Sequence, residues 1–242
     1  MRYSVEFEIL SHDTGHNGEV HPSAICRYFQ EAADGQMRAD GPTYRELIAQ
    51  GYSFVLSRLN VKLYGALRAY DRVTVQTWAY DPPRGVSFER YYQMYRGNEL
   101  VAEAASVWAL LNLNTGALCR VGEVELHYGA DEPLPLPCRF RLPAVEFEDA
   151  GVRTVRYSDV DVNNHMNNTR YPDMLCDFLP EIDRLRITGV QIHYVAEAPL
   201  GETLTVKRAI TKEDGHPVAW FETLRADGSC NIRARIDAEY LN

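Results

Sequence analysis

The sequence lacks any apolar run long enough to cross a lipid bilayer, which takes about 20 consecutive residues. Its first seven residues, Met1 to Phe7, alternate polar and apolar side chains and contain no apolar signal-peptide segment. We therefore expect no membrane span and a cytoplasmic location.

Cysteine is sparse and shows no useful spacing. The five cysteines are odd in number, and no two of them form a CxxC pair. This pattern argues against a disulfide framework and against a zinc site of the usual kind.

Positive charge and phosphate-binding glycine motifs are also lacking. The formal net charge is −9, and the chain has no basic run, no P-loop and no dinucleotide fingerprint. Because nucleic-acid surfaces need clustered Lys and Arg, we expect no nucleic-acid partner. The missing glycine motifs likewise argue against an NTPase or a Rossmann enzyme.

The composition that is present suits a folded globular protein. Hydrophobic residues make up 45% of the 242 residues and charged residues 24%. This length allows one large domain or two small ones.

The first half begins with a predicted strand and two predicted helices. Alternation from Tyr3 to Ile9 indicates a half-buried strand. Pro22 is expected to open a helix that Gly35 ends. A short helix is predicted from the capping box at Thr43, with Gly51 as its stop.

Several strands and a linker should follow. Alternating patterns between residues 53 and 114 predict successive strands, and the proline-rich stretch 133–137 suits neither a helix interior nor a central strand. After it the same order returns: a strand near 152–157, a helix around 169–178 that Pro180 ends, and four strands between 187 and 240.

A strand, a loop, a central helix and several antiparallel strands, occurring twice, form an α+β pattern. We predict two tandem hotdog modules, each with a long central helix wrapped by a curved antiparallel sheet. The predicted division is 1–128, a linker at 129–144, and 145–242. In this alignment His21 matches His165, and the stretch 71–75 matches 202–206.

A polar segment before the second helix is the first candidate site. Asp161, Asn163 and His165 alternate, so in an extended segment their side chains would point the same way. An acid, an amide and an imidazole near a helix start could position water, stabilise an oxyanion and move a proton. The same residue types are also ordinary loop and N-cap residues, and on residue type alone that interpretation is favoured.

Glu197 is the second candidate, because it directly follows an apolar strand pattern and precedes Pro199. It is equally compatible with a solvated strand end.

Two blocks of sequence resemble one family. The first block runs Asp159-Val160-Asp161-Val162-Asn163-Asn164-His165-Met166-Asn167-Asn168-Thr169-Arg170-Tyr171, and the second runs Tyr194-Val195-Ala196-Glu197. Together they resemble the signature blocks of the fatty acyl-ACP thioesterases of plant plastids and bacteria, and the resemblance extends over nearly the whole chain. It implies hydrolysis of a fatty acyl–acyl carrier protein thioester to a free fatty acid, without metal or cofactor.

The resemblance places Asp161, Asn163, His165 and Glu197 at the catalytic positions. Plant members carry a cysteine directly after this glutamate, where this chain has Ala198. A Cys–His mechanism is therefore hard to sustain, and we expect direct attack by a water that Glu197 and His165 activate. Asn163 would hold the water or the thioester, Asp161 would orient its neighbours, and helix-start amides would receive the oxyanion.

The first half is expected to be catalytically silent. It keeps His21 but places Asn17 and Glu19 where Asp161 and Asn163 would fall, and the stretch 65–67 offers no carboxylate near the counterpart of Glu197. The resemblance implies that this half binds the acyl chain. The candidate lining residues are Ile25, Phe29, Val55 and Trp78, although for any one of them an ordinary core role is favoured.

Other functions stay open. An acyl-CoA thioesterase or a hydratase could share this fold, and a non-catalytic acyl-binding sensor is a further alternative. The partner implied by the resemblance, an acidic carrier protein, would need a local basic patch on this acidic chain. Candidates for that patch are Arg184, Arg186, Lys207 and Arg208, and a homodimer is compatible with the sequence.

Overall fold

The computed structural model describes residues 2–80, 85–128 and 131–241. The chain forms two compact units. Unit 1 comprises Met1–Val20 and Ala24–Cys138, and unit 2 comprises His21–Ser23 and Arg139–Asn242. The change from unit 1 to unit 2 falls within the predicted linker, although residues 129–130 of that linker lie outside the described part.

Unit 1 contains an antiparallel sheet in the order β1-β3-β4-β5-β2. Its strands are β1 (Tyr3–Glu8), β2 (Tyr52–Leu63), β3 (Arg72–Tyr80), β4 (Phe88–Arg96) and β5 (Glu99–Asn112). The exposed fraction alternates along β1 as the sequence predicts, with every second side chain turned inward.

Helix α1 (Pro22–Asp40) packs its apolar stripe on this sheet. Ile25, Phe29 and Ala32 recur at helical spacing and are buried. The ring of Phe29 lies 5.1 Å from that of Tyr92 on β4, centroid to centroid. This contact identifies the sheet face that α1 covers.

The predicted end of this helix at Gly35 is wrong. The helix continues to Asp40, and the amide of Gly41, a residue with φ of +66°, caps it on the carbonyl of Met37 at 2.9 Å. A Cβ at Gly35 would lie 2.8 Å from the Tyr3 hydroxyl, so glycine serves close packing there rather than termination. The predicted capping box is confirmed: Thr43 caps α2 (Tyr44–Ala49), and Gly51 follows with φ of +85°.

The proline-rich stretch has neither helix nor strand, as predicted, but it is packed rather than free. Leu136 and Cys138 are buried against Trp78 and Tyr91 of the unit 1 sheet. The Trp78 indole N–H also donates to the carbonyl of Glu132 at 2.8 Å.

Unit 2 repeats the arrangement with an antiparallel sheet in the order β7-β10-β9-β8-β6. Its strands are β6 (Glu148–Thr154), β7 (Leu185–Tyr194), β8 (Thr203–Glu213), β9 (His216–Leu224) and β10 (Cys230–Tyr240). On β10 the apolar residues Ile232, Ala234 and Ile236 are fully buried on one face, as their period of two predicts. Met174 and Leu175 of helix α3 (Tyr171–Cys176) pack into the same core. The α+β fold with two hotdog modules is thus confirmed.

The expectation of a long central helix holds for α1 but is wrong for α3, which has six residues. A short 3-10 helix (Asn168–Arg170) precedes α3. The chain after α3 tightens, because the amides of Phe178 and Leu179 donate to carbonyls three residues back. Pro180 then disfavours helical geometry at Leu179 and prevents any continuation. Within the described residues, no helix is long and apolar enough to cross a membrane.

Candidate functional site

The segment from Asp161 to His165 is a tight turn rather than an extended strand. The amide of Asn164 donates to the carbonyl of Asp161 at 3.0 Å, and the amide of Asp161 donates to the carbonyl of His165 at 3.2 Å. Asn164 has φ of +61°, a conformation that asparagine tolerates better than most residues. The prediction that alternation turns Asp161, Asn163 and His165 to one side is therefore wrong, because that argument holds only for an extended backbone.

The structure brings His165 and Glu197 together. The imidazole Nε2 lies 3.7 Å from Glu197 Oε1, and the His165 side chain is 26% exposed against 70% for Glu197. Backbone contacts set this approach, since the amide of Met166 donates to the carbonyl of Ala198 at 2.8 Å. His165 Nδ1 lies 3.4 Å from the carbonyl oxygen of Met166. The two candidate groups thus face each other at the surface with one imidazole nitrogen directed at the carboxylate.

Asp161 is bound within its own loop. One carboxylate oxygen accepts the amide of Asn163 at 2.8 Å, and the other accepts the side-chain amide of Asn167 at 3.2 Å. Asn163 itself is exposed at the turn. These two hydrogen bonds indicate that the Asp161 carboxylate shapes the loop.

The expected oxyanion site at the helix start is not supported. Helix α3 begins at Tyr171, and the amide of Thr169 in the preceding 3-10 turn is already bonded to Asn167 Oδ1 at 2.9 Å. The sequence pattern had placed His165 too close to a helix that begins later.

An ion pair between the half-buried Arg153 and the buried Asp159 anchors the loop. Both carboxylate oxygens of Asp159 accept Arg153 Nη2 at 2.8 Å, and the amide of Arg156 donates to the same carboxylate at 2.7 Å. The carbonyl of Asp159 in turn accepts the amide of Asn167 at 2.8 Å. Because Asp159 is almost fully buried, losing the charge of Arg153 would leave this carboxylate without compensation in the interior.

Asn231 is a residue that sequence reasoning missed. It is fully buried at the start of β10, and its carbonyl accepts the amides of Val195 at 2.9 Å and Ala196 at 3.0 Å. Its side chain donates to the carbonyl of Ala196 and to the Tyr171 hydroxyl, at 2.5 and 3.1 Å, and accepts the hydroxyl of Thr223 at 2.9 Å. Asn231 therefore fixes the segment that leads into Glu197. The available signal was one amide among the apolar residues of a predicted strand.

Burial raises the pKa of Tyr171 to about 12, and the negative charge of Glu197 adds to this increase. Burial also raises the pKa of the Cys176 and Cys230 thiols, so neither is disposed to form a thiolate. Within the described residues, no group of three or more His, Cys, Asp and Glu side chains could hold a metal ion.

Unit 1 contains a loop with the same backbone bonds. The amide of Gly15 donates to the carbonyl of Glu19 at 2.8 Å, as that of Asp161 does to His165, and the amide of Val20 donates to Leu67 as that of Met166 does to Ala198. Gly18 has the positive φ, +75°, that Asn164 has in unit 2.

These bonds correct the predicted alignment by two residues. Glu19, not His21, is the counterpart of His165; Gly15 is that of Asp161, and Ala66 is that of Glu197. The predicted match of 71–75 with 202–206 is confirmed, because the amides of Ile9 and Val155 bond to the carbonyls of Asp71 and Glu202. The alignment by residue identity matched His21 with His165 wrongly, because few residues are shared between the two halves. The backbone bonds give the correct match because they do not depend on side chains.

The four candidate acyl-binding residues do not share one surface. Ile25 and Phe29 lie on the buried side of α1, whereas Val55 is 42% exposed on β2. Trp78 neighbours Thr77, which pairs with the α1-facing Tyr92, so Trp78 points to the opposite sheet face, where the proline-rich stretch covers it. Trp78 therefore cannot line one cavity with Phe29.

Two family models match the chain. The acyl-ACP thioesterase N-terminal domain matches residues 1–126, and the acyl-ACP thioesterase C-terminal domain matches residues 146–239. Among curated relatives, the chloroplastic palmitoyl-acyl carrier protein thioesterase of Arabidopsis thaliana is 23% identical over 85% of this chain and 54% of its own length. The enzyme of the same name from Cuphea hookeriana is 24% identical over 96% of this chain and 60% of its own length. The chain thus spans little more than half the length of these relatives.

Solved structures agree over nearly full length. An acyl-ACP thioesterase from Bacteroides thetaiotaomicron has a TM-score of 0.88 at 25% identity, covering 98% of each chain. The 12:0-ACP thioesterase of Umbellularia californica has a TM-score of 0.81 at 18% identity, covering 99% of this chain and 94% of its own, and shows the shared fold. Because the two domain models together match most of the sequence, the chain belongs to the acyl-ACP thioesterase family.

Proposed function

We propose that this protein hydrolyses fatty acyl–acyl carrier protein thioesters to a free fatty acid and the carrier thiol. The observation that carries the proposal is the facing pair His165 and Glu197, 3.7 Å apart, in a chain of this family. The separation is longer than a direct hydrogen bond and brings both groups within reach of one water molecule.

In the proposed reaction this water is the nucleophile. Glu197, with His165, takes a proton from the water as its oxygen attacks the thioester carbonyl carbon. The carbon–sulfur bond then breaks, and the carrier's thiolate leaves and takes up the proton. The side-chain amide of Asn163, an exposed residue of the same turn, would donate to the carbonyl oxygen, while Asp161 holds the loop.

Unit 1 is proposed to be catalytically silent, since Gly15, Glu19 and Ala66 replace three of the four candidate groups. We propose that it binds the acyl chain, with Ile25 and Phe29 as the remaining candidates on the α1 side. A cytoplasmic location and a homodimer stay predictions.

The test is release of free thiol from acyl carrier protein substrates of graded chain length. Glu197→Gln keeps the shape of the side chain and removes the base, so kcat should fall by about 10²–10⁴-fold. The matched control is Glu146→Gln, an exposed glutamate of the same unit. Near-normal turnover by Glu197→Gln would remove Glu197 from the base role, and cleavage of acyl-CoA alone would favour the acyl-CoA alternative.

A further inference from the structure

The four cations predicted to attract an acidic partner are already paired. Arg184, Arg186 and Lys207 lie 3.1–3.2 Å from Glu181, Glu239 and Asp149, and Arg208 pairs with Glu148. The opposite charges of each pair cancel at the distances over which a charged partner is attracted. The predicted basic patch is therefore absent at these residues.

Two other arginines flank the candidate site. Arg156 and Arg170 are exposed, and no carboxylate of the described residues forms an ion pair with either. By contrast, Arg153, Arg225, Arg233 and Arg235 of the same unit are all ion-paired. Among the described residues of unit 2, the exposed cations Arg139, Arg141 and Lys212 also lack an ion pair, but Arg156 and Arg170 are the two that stand beside the candidate loop in sequence.

Both arginines are tied to the loop of His165 through one residue. The amide of Arg170 donates to the carbonyl of Asn167 at 2.9 Å. The amide of Asn167 donates to the carbonyl of Asp159, and the amide of Asp159 donates to the carbonyl of Arg156 at 2.9 Å. Asn167 also holds Asp161 through its side chain. The two guanidinium groups are therefore carried by the same short framework as the candidate catalytic loop.

Exposed apolar side chains stand on this framework as well. Val162 at the turn is 90% exposed, and Leu200 is 49% exposed beside Pro199, which bridges to His165. One exposed aliphatic side chain is ordinary at a protein surface, but two of them on the framework of the candidate loop could form an apolar contact with a partner. Cations beside such a surface suit an acidic partner with an apolar contact.

We propose that Arg156, Arg170, Val162 and Leu200 form the docking surface for the acidic acyl carrier protein. The inference rests on the proposed function and gives it a docking site. The arginines bind carboxylates of the carrier protein, and the aliphatic side chains cover its apolar contact, which leaves the thioester at His165 and Glu197.

Charge reversal tests the docking surface. Arg156→Glu and Arg170→Glu should each raise KM for an acyl carrier protein substrate about tenfold, with a much smaller change in kcat. The KM for the matching acyl-pantetheine, which lacks both protein and phosphate, should rise far less. Arg170→Lys should have a KM close to the wild-type value. Rising salt should reduce the difference in KM between the wild type and Arg170→Glu.

The matched controls are Arg184→Glu and Lys207→Glu, which make the same change in net charge outside the proposed docking surface and should alter KM for the carrier substrate about twofold or less. Equal increases in KM for all four variants would overturn the proposal in favour of overall charge. An equal increase with acyl-phosphopantetheine would overturn it in favour of phosphate binding. If the wild type released no thiol from any carrier substrate, the proposed function itself would fail, which is a separate result.

Discussion

The amide of Met166 donates a hydrogen bond to the carbonyl of Ala198 at 2.8 Å, and this bond joins the loop of His165 to the segment of Glu197. It places two residues that lie far apart in sequence opposite each other. Because the link is made by the backbone, the approach of imidazole and carboxylate is set before either side chain contributes.

The position of Ala198 leads to a prediction about a cysteine there. Its side chain is fully buried within the unit 2 core, whereas Glu197 beside it faces solvent. In Ala198→Cys the thiol should lie in the core, so we expect kcat within about twofold of wild type. The added volume should lower the free energy of unfolding by about 1–3 kcal/mol.

Alkylation with iodoacetamide followed by mass spectrometry checks this. In the Ala198→Cys variant, the peptide that contains the substituted position should be labelled there only after denaturation. Rapid labelling of the introduced thiol in the folded protein, or a burst of acyl-enzyme, would contradict the prediction.

The positive φ of Asn164 makes the turn sensitive to side-chain shape. Asn164→Gly should keep activity and change stability by less than about 1 kcal/mol, because Gly18 occupies the same conformation in unit 1. Asn164→Val should lose about 1–3 kcal/mol, since a β-branched residue is strained there. Urea unfolding of both variants measures the difference, and equal midpoints for glycine and valine would contradict it.

Asn231 should matter for both stability and turnover. Asn231→Leu keeps approximate volume but leaves the Thr223 and Tyr171 hydroxyls and the Ala196 carbonyl without their partner. We expect a loss of about 2–3 kcal/mol and a lower kcat, since the segment before Glu197 loosens.

The comparison is Thr223→Val, which removes the contact to Asn231 Oδ1 but keeps the bonds to Ala196 and Tyr171. Its kcat should fall less than that of Asn231→Leu. A larger fall in the threonine variant would argue against Asn231 as the residue that positions Glu197.

The raised pKa of Tyr171 predicts that the protein loses stability in alkaline solution. Its folded pKa of about 12 lies above the ordinary tyrosine value of 10.0, so the unfolded state ionises first as pH rises. The free energy of unfolding should be unaffected below pH 10 and should fall between pH 10 and 12. Tyr171→Phe should show a shallower fall in this window, measured by urea unfolding, and an identical slope would contradict the assignment.

Local patterns predicted most strands, both caps of α2 and the hotdog repeat, because period and capping chemistry are properties of neighbouring residues. They failed where distant contacts decide. The close Tyr3 hydroxyl explains the glycine at position 35. The backbone bond between Met166 and Ala198 explains how His165 comes to face Glu197. Ion pairs such as Lys207–Asp149 join residues far apart in sequence, so the sequence could not show which cations were already neutralised.

The loop that closes on Leu67 in unit 1 has the same hydrogen bonds as the loop that closes on Ala198 in unit 2, without an acid at Gly15 or an imidazole at Glu19. Its stability therefore does not depend on the groups proposed for chemistry. After a duplication, one copy of such a module can exchange those side chains freely while its backbone still folds. In unit 2 the side chains of His165 and Glu197 can then be selected for activity, while Asp161 still bonds within its own loop.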